Sequence, residues 1–377
     1  RALPYLIRRH TETSGDDHFL GAAYGLVVGD ERWERLKHDF QMGWDHREDP
    51  AYSPLREQDR GREDYDEPVG TMFTGAFANE PATDWSLEPN RVWARKIRKK
   101  WKKNPGDPPY EIPLMIAGEM VFDERETKHH YDPSQQPGEV WLSTFSLANE
   151  QDIDRICQVA AEDADGWRGL ALPERHEIIT AAAVQFRKAR ADLVGAVAAC
   201  TGKTLADSDA EVSELIDYAE YYPHAHAPIE HLGNIESEPR GVGLVVSTWN
   251  SALAFTGGAI IGALVAGNTV VVKPASEALL PVWEMLQCFW EAGVSPNTLQ
   301  MVPCKGSEVG DFLTRHPAID FVIFSGATET ATRILRGRPE LYMTAETEEL
   351  NCTIVTAMAD RDQAIKNIVQ SAFSYSG

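Results

Sequence analysis

The residues best suited to chemistry in this chain fall just after short apolar runs. Trp249 and Asn250 follow "GLVVST", Lys273 closes "TVVVK", Gly306 follows "LQMVPCK", Phe324, Ser325 and Gly326 close "FVIFSG", and Glu346 closes "LYMTAE". Amide, ammonium, hydroxyl and carboxylate groups delivered from successive runs converge on one region when the runs lie side by side as parallel strands. At two of these places small residues stand directly before a helical pattern: "GSEVG" from Gly306 to Gly310, and "FSGATETA" from Phe324 to Ala331. Free amides at a helix start, with the helix dipole behind them, suit a phosphate. Lys273, just past a strand, can reach ribose hydroxyls or phosphate. Taken singly, each glycine also reads as a plain turn, and the chain has no G-x-G-x-x-G fingerprint.

The elements that would position these groups alternate regularly after Ser237. Strands are expected over 241–247, 269–273, 298–302, 320–324 and 341–346, with helices over 253–266, 278–292, 306–315 and 328–336 between them. That order predicts an α/β fold, a doubly wound parallel sheet with its crevice at the carboxyl ends of the strands. Residues 241–272 carry no charged side chain and are long enough to cross a bilayer. Trp249-Asn250 and Gly267-Asn268 break that run, so a buried strand–helix–strand crossover is expected and no transmembrane segment.

Upstream, strand hairpins begin near Tyr110 and long helices occupy about 150–222. Residues 1–21 read as a helix, and residues 30–90, rich in charge, Pro and Gly, as loops and short helices. In "RVWARKIRKKWKK", Trp93, Ile97 and Trp101 share one helical face against a basic one. Such a helix can bind nucleic acid or a membrane surface; the expected reading is a docked helix with a solvated basic face. Pro105 to Pro109 ends it and marks a domain boundary.

The chain has 377 residues, with 36 Lys plus Arg against 58 Asp plus Glu and a formal charge of −22. That balance disfavours a polyanion, and no nucleic-acid partner is expected. The five cysteines, Cys157, Cys200, Cys288, Cys304 and Cys352, have no C-x-x-C spacing. They read as reduced thiols, with no metal site. No basic-then-apolar leader opens the sequence, so a cytoplasmic location is expected.

In order and spacing, "TWN", "AGNTVVVKPASE", "HPAIDFVIFSGATETA" and "AET…N" followed by "SAFSYSG" resemble the aldehyde dehydrogenase superfamily. "YLIRRHTET" resembles the last substrate-binding helix of proline dehydrogenases, and "FANEPATDWSLEPNRVWA" the connector of bifunctional enzymes of the proline utilization A type. The resemblance implies NAD-dependent oxidation of L-glutamate γ-semialdehyde (Δ1-pyrroline-5-carboxylate) to glutamate. It divides the chain into the end of a proline dehydrogenase module (1–25), a helical and irregular connector (26–108), and an incomplete NAD-binding domain (109–377).

By the same resemblance, Asn250 is the oxyanion donor and Glu346 the general base. Thr248, Trp249, Lys273, Ser276, Gly306, Gly310, Phe324, Ser325, Gly326 and Ala327 cradle NAD. Tyr5, Arg8 and Arg9 lie at i, i+3 and i+4 on one helical face, so a phenol and two guanidinium forks can converge on an amino-acid carboxylate; the resemblance implies that this face closes over proline beside FAD. In the family Gln, a basic residue and the nucleophilic cysteine follow the last motif. The chain is therefore expected to be a fragment that stops short of its nucleophile and is inactive alone, the full-length parent being a homo-oligomer acting on a small molecule. The sequence departs from the family at Thr248, Ser251-Ala252, Ala327 and Glu348-Glu349-Leu350. Those departures leave a second reading, a non-catalytic degenerate dehydrogenase serving as a binding or assembly module.

Overall fold

The computed structural model describes residues 25–48, 56–65, 77–122, 124–135, 138–228, 232, 234, 237–306, 309–348 and 351–377. The chain divides into two compact units, residues 1–57 and 58–377. The helix expected over 1–21, with Tyr5, Arg8 and Arg9, lies outside the described residues. In the first unit, helix α1 (Glu31–Asp45) is longer than the short pieces expected there. Asp30 caps it, accepting the Trp33 amide at 2.7 Å, and Glu31 and Glu34 complement the dipole of its first turn.

The second unit opens with α2 (Glu88–Trp101), whose Trp93, Ile97 and Trp101 are buried while its basic face is solvated. Next come β1 (Tyr110–Ile112), β2 (Leu114–Ile116), β3 (Glu119–Val121), β4 (Thr127–Tyr131) and β5 (Trp141–Ser146). β5 pairs with β1 in parallel and β4 antiparallel, and β2 and β3 form a hairpin. Helices α3 (Glu150–Glu162), α4 (Leu172–Lys188), α5 (Arg190–Thr201) and α6 (Leu205–His226) follow. The apolar stripe of α2 lies on α5, where Trp101 occupies the space above Gly195; a Cβ there would stand 2.0 Å from the indole Cδ1. Only glycine permits that approach.

The remaining elements are β6 (Val242–Val246), α7 (Ala254–Val265), β7 (Thr269–Lys273), α8 (Leu279–Glu291), β8 (Leu299–Met301), α9 (Val309–Arg315), β9 (Phe321–Gly326), α10 (Thr328–Gly337), β10 (Tyr342–Thr347) and α11 (Arg361–Phe373). The strands form one parallel sheet in the order β10-β9-β6-β7-β8. Successive residues alternate between two buried layers: Val245, Val270 and Val272 face the core shared with α4 to α8, while Leu244, Val271 and Val322 face α3, α9 and α10. Helices on both faces explain why β6, β7 and β8 read as continuous apolar runs, while the edge strand β10 has no buried residue. No described helix is long and apolar enough to cross a membrane.

Because β7 and β8 extend the sheet on one side of β6 and β9 and β10 on the other, strand order reverses between β6 and β9. The connections diverge there and open a crevice at the carboxyl ends, the place where doubly wound sheets bind ligands.

Candidate active site

Strand register sets Lys273 beside Val246, Val246 beside Phe324, and Phe324 beside Ala345. One row further on, Ser325 pairs with Glu346. The carboxylate is thus two strands from the end of β6, about 10 Å by strand spacing. That gap is wide enough for a substrate group between Glu346 and the loop carrying Thr248, Trp249 and Asn250.

Asn250 is exposed at the crevice. The Thr248 hydroxyl donates to its Oδ1, and its Nδ2 donates to no partner among the described residues. The amide therefore presents a free N–H donor. Beneath it, Lys203 Nζ donates to the Asn250 carbonyl at 2.6 Å, and Glu211 Oε2 accepts the Leu253 amide at 2.9 Å. Neither Lys203 nor Glu211 was legible as a site residue, because a buried charge looks like any other in a chain this rich in charge. Trp249 is 37% exposed, its ring available to the crevice.

Lys273 comes close to the start of α9: a Cβ on Gly310 would lie 3.9 Å from its Cε. Gly310 itself donates its amide to the Lys305 carbonyl at 2.9 Å. Ser276 opens a single 3-10 turn, and its Oγ accepts a hydrogen bond from Lys128 of β4 at 3.0 Å. That second ammonium, from a distant strand, had no sequence signal. Gly306 is exposed, with open space where a side chain would be.

Helix α10 begins after Ala327 with no side-chain cap; the Thr330 amide is taken by the Ala327 carbonyl at 2.9 Å, which leaves those of Thr328 and Glu329 as the open donors of the first turn. Gly326 precedes it at φ +153°, and a Cβ there would lie 2.9 Å from the Phe324 ring. The Phe324 side chain is buried in the sheet core. Its contribution is to shape the turn from below, and only backbone and small side chains at 325–327 face outward. Bare glycine and open amides at the start of α10, with the Lys273 ammonium near the start of α9, fit a phosphate-bearing cofactor.

Glu346 is exposed and helps line an apolar groove of about 490 Å³ with Tyr218, Tyr222, Ala254, Phe255 and Gly258. Burial raises the Tyr222 phenol, and the charges of Glu214 and then Glu346 raise it further. Glu348 is exposed, and Glu349 and Leu350 lie outside the described residues.

His226 also lines the groove, and its Nδ1 lies 3.4 Å from His176 Nε2. Burial, then His226 and Arg175, pull His176 down to about 4 from 6.5. Below pH 6.5 the unfolded chain takes up a proton that the folded chain refuses until about pH 4, so stability is complete above 6.5 and is lost as pH falls through that window. His176→Gln is expected to flatten the fall of the melting midpoint between pH 6.5 and 4.5; a slope matching the wild type would refute this.

Burial pushes the thiols of Cys157 and Cys288 up to about 12 and raises those of Cys200 and Cys304, Lys273 opposing the shift at Cys304. Such thiols are poor nucleophiles at neutral pH. Cys352 is exposed. Among the described residues no His, Cys, Asp and Glu group could hold a metal ion.

The profile of the aldehyde dehydrogenase family matches residues 122–377. The chain is 30% identical over 321 residues to a 1-pyrroline-5-carboxylate dehydrogenase of Bacillus cytotoxicus, an alignment covering 80% of this chain and 61% of the relative. It is 31% identical over 321 residues to one of Bacillus cereus, with the same coverage. The chain thus spans about 61% of the length of the curated relatives it matches. Among solved structures, proline utilization A from Bdellovibrio bacteriovorus has the same fold, with a TM-score of 0.76 at 23% identity over 99% of this chain and 38% of that one. A Thermus 1-pyrroline-5-carboxylate dehydrogenase with bound NAD gives a TM-score of 0.70 at 27% identity, over 79% of this chain and 60% of that one.

Proposed function

The chain belongs to the aldehyde dehydrogenase family, and on that premise we propose that it is the dinucleotide-binding portion of an NAD-dependent L-glutamate γ-semialdehyde (1-pyrroline-5-carboxylate) dehydrogenase of proline catabolism. What supports this reading is that the strands on either side of the β6/β9 reversal deliver to one edge of the sheet an exposed Asn250 amide, the Glu346 carboxylate and the start of α10, which has no side-chain cap.

Bound NAD supplies the hydride acceptor. Lys273, Ser276, Gly306, Gly310 and the 324–327 turn would hold it, with Thr248 and Trp249 on the opposite lip. Asn250 Nδ2 donates to the oxygen that gains charge when a thiolate adds to the aldehyde carbon, and does so without changing its own charge. Addition gives a hemithioacetal, which would become a thioester on loss of its hydride to the acceptor, and Glu346 takes a proton from the water that hydrolyses that thioester. The buried thiols do not suit the nucleophile's part, and in this reading the chain by itself binds cofactor without turnover.

The reading extends to a bifunctional, cytoplasmic, homo-oligomeric enzyme. There residues 1–25 end an FAD-dependent proline dehydrogenase module whose Tyr5, Arg8 and Arg9 grip proline, residues 26–108 connect, and residues 109–377 bind NAD.

The test is a titration of this chain with NAD, followed by tryptophan emission with Trp249→Phe identifying the reporter. Saturable quenching is expected, weakened about tenfold by Lys273→Ala, the effect of one charge-assisted hydrogen bond. No response at millimolar NAD would sink the reading.

A further inference from the structure

We propose that the buried Lys203–Glu211 ion pair is the positioning device for Asn250, a role that rests on the oxyanion-donor reading above. The Lys203 and Glu211 side chains are 0% and 2% exposed and pair directly with each other. Between them they hold the middle and the carboxyl end of the loop that carries the amide. Lys203 Nζ fixes the Asn250 carbonyl at 2.6 Å, and Glu211 Oε2 fixes the Leu253 amide at 2.9 Å.

Stability alone gives no reason for the pair. Exchanging a buried ion pair for apolar side chains of similar size is often neutral or stabilising, because desolvation offsets the Coulombic attraction. What an apolar pair cannot do is satisfy one carbonyl and one amide at fixed places. The loop between β6 and α7 makes no strand ladder of its own, so its backbone needs one donor and one acceptor from outside. Lys203 supplies the donor from the joint between α5 and α6, and Glu211 the acceptor from the body of α6.

Both anchors sit on or beside helices packed into the main core, so the Asn250 backbone inherits their rigidity. With Thr248 engaging Oδ1 from the side, the direction of Nδ2 is set by two contacts. An oxyanion donor needs such fixing, since a misplacement of 1 Å at a reacting centre can lower a rate about a hundredfold. The same ammonium also faces the Tyr375 ring, 4.9 Å from its centroid, tying the 374–376 segment to the Asn250 loop. Three separate stretches of chain thus register on one buried cation.

The experiment compares local amide hydrogen exchange in this chain, wild type against Lys203→Met/Glu211→Leu, with Lys203→Arg as the conservative rescue. The double variant is expected to melt near the wild type while amides over 248–255 exchange about tenfold faster and those of β6 do not change. Lys203→Arg is expected to restore most of the protection. Unchanged exchange over 248–255 overturns the assignment, as does faster exchange spread evenly through β6 with a lowered midpoint, the mark of a merely structural pair. Glu211→Gln, isosteric and milder, is expected to give a smaller rise at the same amides. Should the double variant fail to fold, wild-type exchange in Glu211→Gln overturns the assignment. In a whole semialdehyde dehydrogenase carrying these residues, the loosened loop is expected to lower kcat about tenfold or more, a fall larger than any rise in the KM for NAD caused by Thr248 and Trp249 on the same loop. A loosened loop with full turnover would instead sink the oxyanion role of Asn250, so the two failures are read apart.

Discussion

Arg190→Met is expected to lower the stability of residues 58–377 by about 3–5 kcal/mol, the cost of leaving the buried Asp209 carboxylate without its cation. The Arg190 side chain is 3% exposed; its Nε donates to Asp209 at 2.8 Å, its Nη1 to Glu80 at 3.1 Å and its Nη2 to Ser213 at 2.5 Å. Glu80 is also held by Arg187 at 2.8 Å, and Arg187 reaches Glu220 at 2.6 Å. The second oxygen of Asp209 accepts the Thr83 amide at 3.0 Å. The network therefore pins the 77–83 segment to α4, α5 and α6, and methionine fills the volume without supplying a single donor. Removing the partner as well, in Arg190→Met/Asp209→Leu, is expected to recover part of the loss, because the uncompensated charge goes with it. Arg190→Lys recovers less, since one ammonium cannot reproduce the guanidinium fork. Melting midpoints of the four proteins decide it: equal midpoints for wild type and Arg190→Met would refute the network's role.

That network also shows where sequence reading stops. The five parallel strands and the four helices between them were legible to within about three residues at each end, because helices covering both sheet faces leave an unmistakable texture of apolar runs such as "GLVVS" and "TVVVK". The stripe of Trp93, Ile97 and Trp101 was legible for the same reason: burial imposes a period. Charges carry no such period. Nothing in the sequence marks Arg60, Glu80, Arg187 and Arg190, yet all four side chains are nearly buried, paired across distant parts of the chain. In the candidate site, strand-end residues were legible because the topology delivers them. Lys203, Glu211 and Lys128 were not, since each reaches the site from an element whose own pattern says nothing of it. Phe324 illustrates the reverse. Its place in a motif marks the turn, while its side chain belongs to the core and lies beneath Gly326.

Asn250→Ala is expected to lower kcat for semialdehyde oxidation about 10²–10³-fold in a whole dehydrogenase carrying these residues, the usual effect of removing one oxyanion donor. The change should be confined to chemistry. Asn250 is exposed, its Lys203 contact is made by the backbone carbonyl, and among the described residues its Oδ1 is met only by Thr248. Stability and NAD affinity should therefore stay at wild-type values, because nothing in the core or the phosphate turn loses a partner. Asn250→Asp makes a sharper probe: the shape is kept, but a carboxylate replaces a donor at the point where negative charge develops, so the loss should be at least as large. Glu346→Gln separates the second half of the reaction. A glutamine cannot accept the proton of the attacking water, so hydride transfer should give one NADH per site as a burst and turnover should then stall. Asn250→Ala should slow the burst itself, since the donor acts when the thiolate adds, before any thioester exists. Stopped-flow absorbance of NADH distinguishes the two. A burst at the wild-type rate in Asn250→Ala would remove Asn250 from the chemistry and leave it as a loop residue.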